Sequence, residues 1–319
     1  MSRHTEIDKV VLNAPARFSA IDWSNFIERS QIGDDHNPID EFYSTHQGLT
    51  ALGGLVGQGT IRQELEELLA GQMVLGYVSA TELFLRRLLA QSVRLCPNLR
   101  KRNSSVQIPF GALDFYEAKN IEHALTERVT FSEPGKVANV LRERFGISIK
   151  PNSSLNEAIA EFEGLCQLRH ALVHSRGVVN STNAEQFELP AGKGHCMVTL
   201  EHSEVAAAGA VCMNLVREIN TEVGRTILWD WLTSGVLRGT KRADSTKLGR
   251  LLTLFASKVD PSQGRATAST VDQLMDTARV VADAVTNSRL AVKSVAKPPD
   301  LSVPRNSGKL VAPTDQLGT

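Results

Sequence analysis

Charge of one sign is what this chain lacks. Lys plus Arg and Asp plus Glu each number 35 of 319 residues, for a formal net charge of zero. A protein that coats nucleic acid by bulk attraction is ordinarily basic, so any polyanion contact here must be a local site. Aromatic residues are scarce too, at 5%, which suits aliphatic packing between helices better than a sandwich or barrel. The four cysteines, Cys96, Cys166, Cys196 and Cys212, show neither CxxC pairing nor secreted-domain spacing. Cys166 and Cys212 fall within apolar helical patterns and read as free buried thiols. No run reaches the roughly 18 apolar residues of a membrane span, and the polar start MSRHTEIDK holds no signal core. A soluble, cytoplasmic protein without a membrane partner is expected.

Helical periodicity is what the chain has in abundance. From Ile61 to Leu95 apolar residues recur at helical spacing until Cys96-Pro97 ends the run. Gly71 and Gly76 raise the prospect of two helices meeting there. A basic turn follows, Arg100-Lys101-Arg102, and then helices around 114–128 and after Ser132-Glu133-Pro134. Ser154-Leu155-Asn156-Glu157 reads as a capping box opening a helix whose buried face runs Leu155, Ala158, Ile159, Phe162, Leu165, Leu168, Leu172. Segments 186–189 and 195–200 read as a small hairpin, and 203–232 and 245–257 as helices. Thr270-Val271-Asp272-Gln273 caps one more. The expectation is an all-α fold: a lead-in over 1–60, a helical bundle with the hairpin inserted over 61–232, a helical extension over 233–296 and a disordered tail over 297–319.

The chemistry concentrates at the end of the capped helix, in Arg169-His170-Ala171-Leu172-Val173-His174-Ser175-Arg176-Gly177. An arginine binds and neutralises a phosphate, and an imidazole moves a proton near neutral pH. Arg169 and His174 are five residues apart, about 140° around a helix and roughly 7.5 Å along it. They do not share one face, so a two-fold partner supplying a second pair would complete such a site. His170 and His174 are four apart, but no Glu stands between them and no third ligand is evident, so no metal site is read. The Gly-rich stretch Gly53–Gly59 lacks the Lys-Ser/Thr pair of a phosphate-binding loop, and no cofactor is expected.

Arg169-His170-Ala171-Leu172-Val173-His174 resembles the R-x4-H signature of HEPN domains, the nucleotide-binding helical bundles of higher eukaryotes and prokaryotes. Residues 77–89 are similar to the first core helix of that family, with Glu82 at the place of an inward acidic residue. The hairpin and long helix after the motif resemble the bacterial subgroup of RNA-cleaving toxins and phage-defence proteins. The resemblance spans roughly 61–232. It implies a homodimeric, metal-independent endoribonuclease, a toxin or antiviral effector with a separate antitoxin or defence partner. In it Arg169 clamps the phosphate, His174 is the acid/base and Glu82 aims Arg169. His170, Arg176 and the basic turn Arg100, Lys101 and Arg102 are read as RNA contacts. The alternative is a catalytically silent bundle that binds RNA, nucleotides or protein.

Overall fold

Long apolar stripes at helical spacing must bury one face against another helix, and the computed structural model of this chain does that with an all-α architecture. It describes residues 22–27, 36–56, 58, 61–116, 118–187, 189, 192, 196–260 and 270–281. The expected tail over 297–319 lies outside the described residues. Two units divide the chain, 1–35 and 36–319. In the first, Trp23–Asn25 form a single 3-10 turn. The second holds the bundle.

Helix α1, Pro38–Gly53, begins at Asn37, whose side chain accepts from the Ile39 N–H. It buries Ile39, Phe42 and Tyr43. The bundle therefore reaches well into the segment expected as a lead-in. Helix α2, Gln63–Leu95, runs unbroken through both glycines. Gly76 lies where α1 crosses: a Cβ there would meet Leu49 Cδ2 at 2.9 Å. The glycine is a packing residue, not a break. By length and composition α2 is apolar enough to cross a membrane, contrary to the sequence reading, and half of that apolar window is buried in the bundle.

Helix α3, Pro97–Arg102, carries the basic turn, and α4 is Ala112–Phe115. A 3-10 stretch, Ala118–Thr126, replaces most of the α-helix expected over 114–128. Helix α5, Lys136–Val140, continues as a π-helical turn to Phe145. Helix α6, Ser154–Ser175, is capped by Ser153, which accepts from the Asn156 N–H at 3.3 Å. Ser154, the expected cap, instead donates its hydroxyl to Glu218 at 2.8 Å. Strand β1, Val178–Val179, pairs antiparallel with β2, Cys196–Met197. The first strand thus falls directly after α6, because 181–186 form a short helix, α7. Helix α8 is His202–Thr233 and α9 is Lys241–Phe255. Residues 271–281 are helical, with the Thr270 hydroxyl and Gln273 side chain capping each other's backbone N–H as expected.

Cross-helix contacts fix the directions. Along α1, Glu41 pairs with Arg87, Thr50 lies 3.3 Å from the Tyr77 hydroxyl and a Gly53 Cβ would touch Met73, so α2 runs antiparallel to α1. His202 donates Nδ1–H to the Gly53 carbonyl and Arg217 donates to Tyr43, so α8 is antiparallel to α1 as well. Ser154 meets Glu218 while Cys166 neighbours Cys212, so α6 runs antiparallel to α8. The C-terminal end of α6 therefore lies at the end of the bundle where α8 starts. The start of α6 and the basic α3 lie at the opposite end, where Asn103, just after α3, donates to the Arg144 carbonyl of the π-helical turn at 3.0 Å.

Candidate functional site

Helix α6 positions its terminal residues by what it buries. Leu165, Cys166 and Ala171 face the core, Arg169 is half-buried at its margin, and His170, Val173 and His174 stand in solvent. The two imidazoles are neighbours on one face, ring centroids 4.5 Å apart. Among the described residues no three His, Cys, Asp or Glu side chains come together as a metal-binding group.

The helix stops abruptly. Arg176 takes the left-handed conformation, φ 49° and ψ 39°, and Gly177 follows at φ 83°. The N–H groups of both donate to the Ala171 carbonyl, and the Gly177 carbonyl accepts from Val198 at 2.8 Å. This turns the chain into β1 and ties the hairpin to the helix end. Glycine adopts such a φ without penalty, whereas a residue with a Cβ is held there at a cost of about 1–2 kcal/mol.

Glu82 lies on α2 facing the same region. Its Oε1 accepts from the Ser132 N–H at 3.0 Å, while Glu163 of α6 accepts from the Gly135 N–H at 2.8 Å. Two carboxylates from two helices thus clasp the 131–135 turn, which sequence reasoning did not anticipate: a carboxylate aimed at a backbone N–H leaves no periodic signal. Burial pushes the Cys166 thiol up to about 12, with Cys212 and the Glu82 charge adding to the rise and Arg169 opposing it. Glu82 and Arg169 therefore share the surroundings of one buried sulfur. No ion pair joins them among the described residues, in contrast to the expected aiming contact.

The other expected RNA contacts are elsewhere. Cys166 and Cys212 sit level with Thr81 on α2, and the 14 residues from Thr81 to Leu95 add about 21 Å of helix before α3 begins. There Arg100 pairs with the buried Glu122 at 2.6 Å. The Arg102 guanidinium lies over Gly146, where a Cβ would sit 2.6 Å from its Cζ. Lys101 stands in solvent. Glu82 and Arg169 share the surroundings of Cys166; His170, His174 and Arg176 follow Arg169 along the end of α6; and Arg100, Lys101 and Arg102 lie at the far end of the bundle.

A second feature escaped the sequence. A mainly apolar cavity of about 320 Å³ opens between α1, α2 and α8, lined by His46, Thr50, Tyr77, His202 and Met213 among others. His46 donates Nε2–H to the Gly209 carbonyl at 3.1 Å, and burial holds its imidazole below the ordinary histidine value. These residues come from three helices spread between positions 46 and 213, so no local motif marks them. Compared with protein-family models, with curated proteins and with solved structures, the chain matches none.

Proposed function

We propose that the C-terminal end of α6 is a metal-independent endoribonuclease site completed by a second copy of this chain. The observation that carries the reading is electrostatic. In a chain of zero net charge, Arg169, His170, His174 and Arg176 gather within eight residues, and none has a carboxylate partner among the described residues. An unpaired arginine beside two accessible imidazoles is the minimum required to bind a phosphodiester and move its protons. Apolar residues left in water on the two helices that form this region support the partner copy: Leu65 at 43%, Leu68 at 59%, Leu83 at 40% and Val173 at 45% exposure.

In this mechanism His174 takes the proton of the ribose 2′-OH. The 2′-oxygen bonds to phosphorus and the P–O5′ bond breaks. The departing 5′-oxygen receives a proton from an imidazolium, the role assigned to the neighbouring His170 or to a histidine of the second copy. Arg169 offsets the charge that builds on the non-bridging oxygens. The products are a 2′,3′-cyclic phosphate and a 5′-hydroxyl. A cytoplasmic toxin or antiviral effector held in check by a separate partner is the role that fits.

A specific observation favours the second reading, a silent binding bundle: Glu82 is committed to the 131–135 turn rather than to Arg169. One experiment separates the two. Purified protein incubated with total RNA in EDTA should yield fragments ending in 2′,3′-cyclic phosphate and spare DNA, which lacks the attacking hydroxyl. Binding without cleavage would select the silent bundle, and EDTA-sensitive cleavage would refute the mechanism.

A further inference from the structure

Left-handed backbone positions in this chain are almost all given to glycine. Among the described residues Gly135, Gly146, Gly177, Gly235 and Gly239 have positive φ, and only Asn152 and Arg176 do so with a side chain. Asparagine tolerates that conformation through its short polar side chain. Arginine gains nothing from it. Nor does the fold use the arginine: the Arg176 side chain is exposed and makes no hydrogen bond, ion pair or ring contact among the described residues. A residue that strains the backbone and returns no contact inside the protein is one whose side chain is needed outside it.

Position narrows what that use is. Arg176 closes α6 two residues beyond His174, and the helix carries its Cα about 10 Å along the axis from that of Arg169, where the left-handed φ turns its side chain off the helical path. Its guanidinium stands in solvent while that of Arg169 is half-buried. Two unpaired guanidinium groups, one before the imidazoles in the chain and one after them, suit two successive phosphates of one strand, one at the reacting centre and one beside it. Resting on the function proposed above, we infer that Arg176 binds the phosphate adjacent to the scissile one. The substrate class is then an oligonucleotide with at least two phosphodiesters, and a dinucleoside monophosphate leaves Arg176 empty.

The test compares a dinucleoside monophosphate with the same RNA extended by one nucleotide, using the full-length protein and its Arg176→Gly and Arg176→Lys variants. Wild type should cleave the longer substrate with a kcat/KM at least about tenfold higher, as expected for one charge-assisted phosphate contact. In Arg176→Gly that preference, read as the ratio of the two kcat/KM values, should collapse toward unity. Arg176→Lys should keep part of the preference, because an ammonium holds a phosphate only as a point charge. The glycine variant relieves the strained cap, so its Tm should rise by about 2–4 °C, which excludes misfolding as the cause of any loss. Equal rates on both substrates in wild type, or a preference that survives in Arg176→Gly, would overturn the inference alone. Absence of cleavage of any RNA by wild type would instead remove the function on which it rests.

Discussion

Both ends of the bundle carry basic residues, and their surroundings differ. At the α3 end Arg100 is held by Glu122, Arg102 covers Gly146 and Lys101 stands in solvent. At the α6 end Arg169, His170, His174 and Arg176 are left without carboxylate partners among the described residues. In sequence Arg100-Lys101-Arg102 is the denser cluster and looks the better phosphate site. What separates them is not charge density but what faces each charge. A paired cation has already exchanged water for a carboxylate, so binding a phosphate would first require breaking that pair. An unpaired one is available. A run of charges in a neutral chain thus does not tell which of them is already paired: of Arg100, Lys101 and Arg102, Arg100 alone has a carboxylate partner among the described residues.

The largest expected effect breaks or upholds this contrast directly. His174→Ala should lower RNA cleavage by about 10²–10⁴-fold, the usual loss of a general acid/base group, and Arg169→Ala should be as severe. Both should leave the melting curve nearly unchanged, since His174 is exposed and Arg169 sits at the margin of the core. Arg100→Ala, which removes the nearer of the two arginines paired with buried Glu122, should do the opposite, lowering stability while cleavage by the folded protein persists. Cleavage rates that fall with Arg100→Ala and not with Arg169→Ala would reverse the assignment of the two ends.

Glu82 sharpens the comparison because it stands between structure and chemistry. Its carboxylate holds the Ser132 N–H, so Glu82→Ala should cost about 1.5–3 kcal/mol in urea denaturation, the scale of a hydrogen bond to a charged group. Glu82→Gln keeps an acceptor oxygen and should retain most of that stability. If cleavage also survives in the glutamine variant, the residue acts by clasping the 131–135 turn. If cleavage alone is lost, its charge aims Arg169 after all.

Gly146 probes the far end with a smaller change. Its φ of 75° and the Arg102 guanidinium packed on it both oppose a side chain. Gly146→Ala should destabilise by about 1–2 kcal/mol without touching RNA cleavage per folded molecule, read from paired denaturation and activity curves.

How much of this was legible in the sequence follows from the physics of each signal. Helix α6 and the helix over 271–281 announced themselves because a cap and an apolar stripe coincide within a few residues, although the cap of α6 is Ser153 and not Ser154. Helix α1 did not, despite Ile39, Phe42, Tyr43 and His46 at helical spacing. An acidic loop before it and glycines after it obscured its limits. The 3-10 and π-helical stretches over 118–126 and 141–145 share the apolar spacing of an α-helix closely enough to be read as one. The two-residue strands are too short to alternate at all. For the site, the residue types of Arg169, His170, His174 and Arg176 were plain in the chain. Their freedom from partners was not, because pairing is decided by residues such as Glu122 and Ser132 brought in from other elements. The left-handed posture of Arg176 was hidden for the same reason, since Gly177 beside it was the natural candidate for the cap.

The smallest expected effect tests whether the α6 end of the bundle also carries a pH-sensitive element in its packing. His46 lies beside the cavity between α1, α2 and α8, with Nε2–H on the Gly209 carbonyl and its ring 5.0 Å from that of Tyr77. Burial lowers its affinity for a proton, the nearby Arg217 charge lowers it further, and the Gly209 hydrogen bond only partly opposes them. The unfolded chain has no such environment and takes up the proton near the ordinary histidine value of 6.5. On acidification the unfolded state therefore binds more protons than the folded one, and stability must fall as pH drops below about 6.5, until the folded state is protonated too. Urea midpoints measured from pH 7.5 to 5 should thus decline, and His46→Gln, which has no proton to take up there, should decline less. The other histidines are common to both proteins, so the difference between the two profiles isolates His46. Parallel profiles would show that the cavity is open enough in solution for water to stabilise the imidazolium, and the α6 end would lose its claim to a pH-sensitive core.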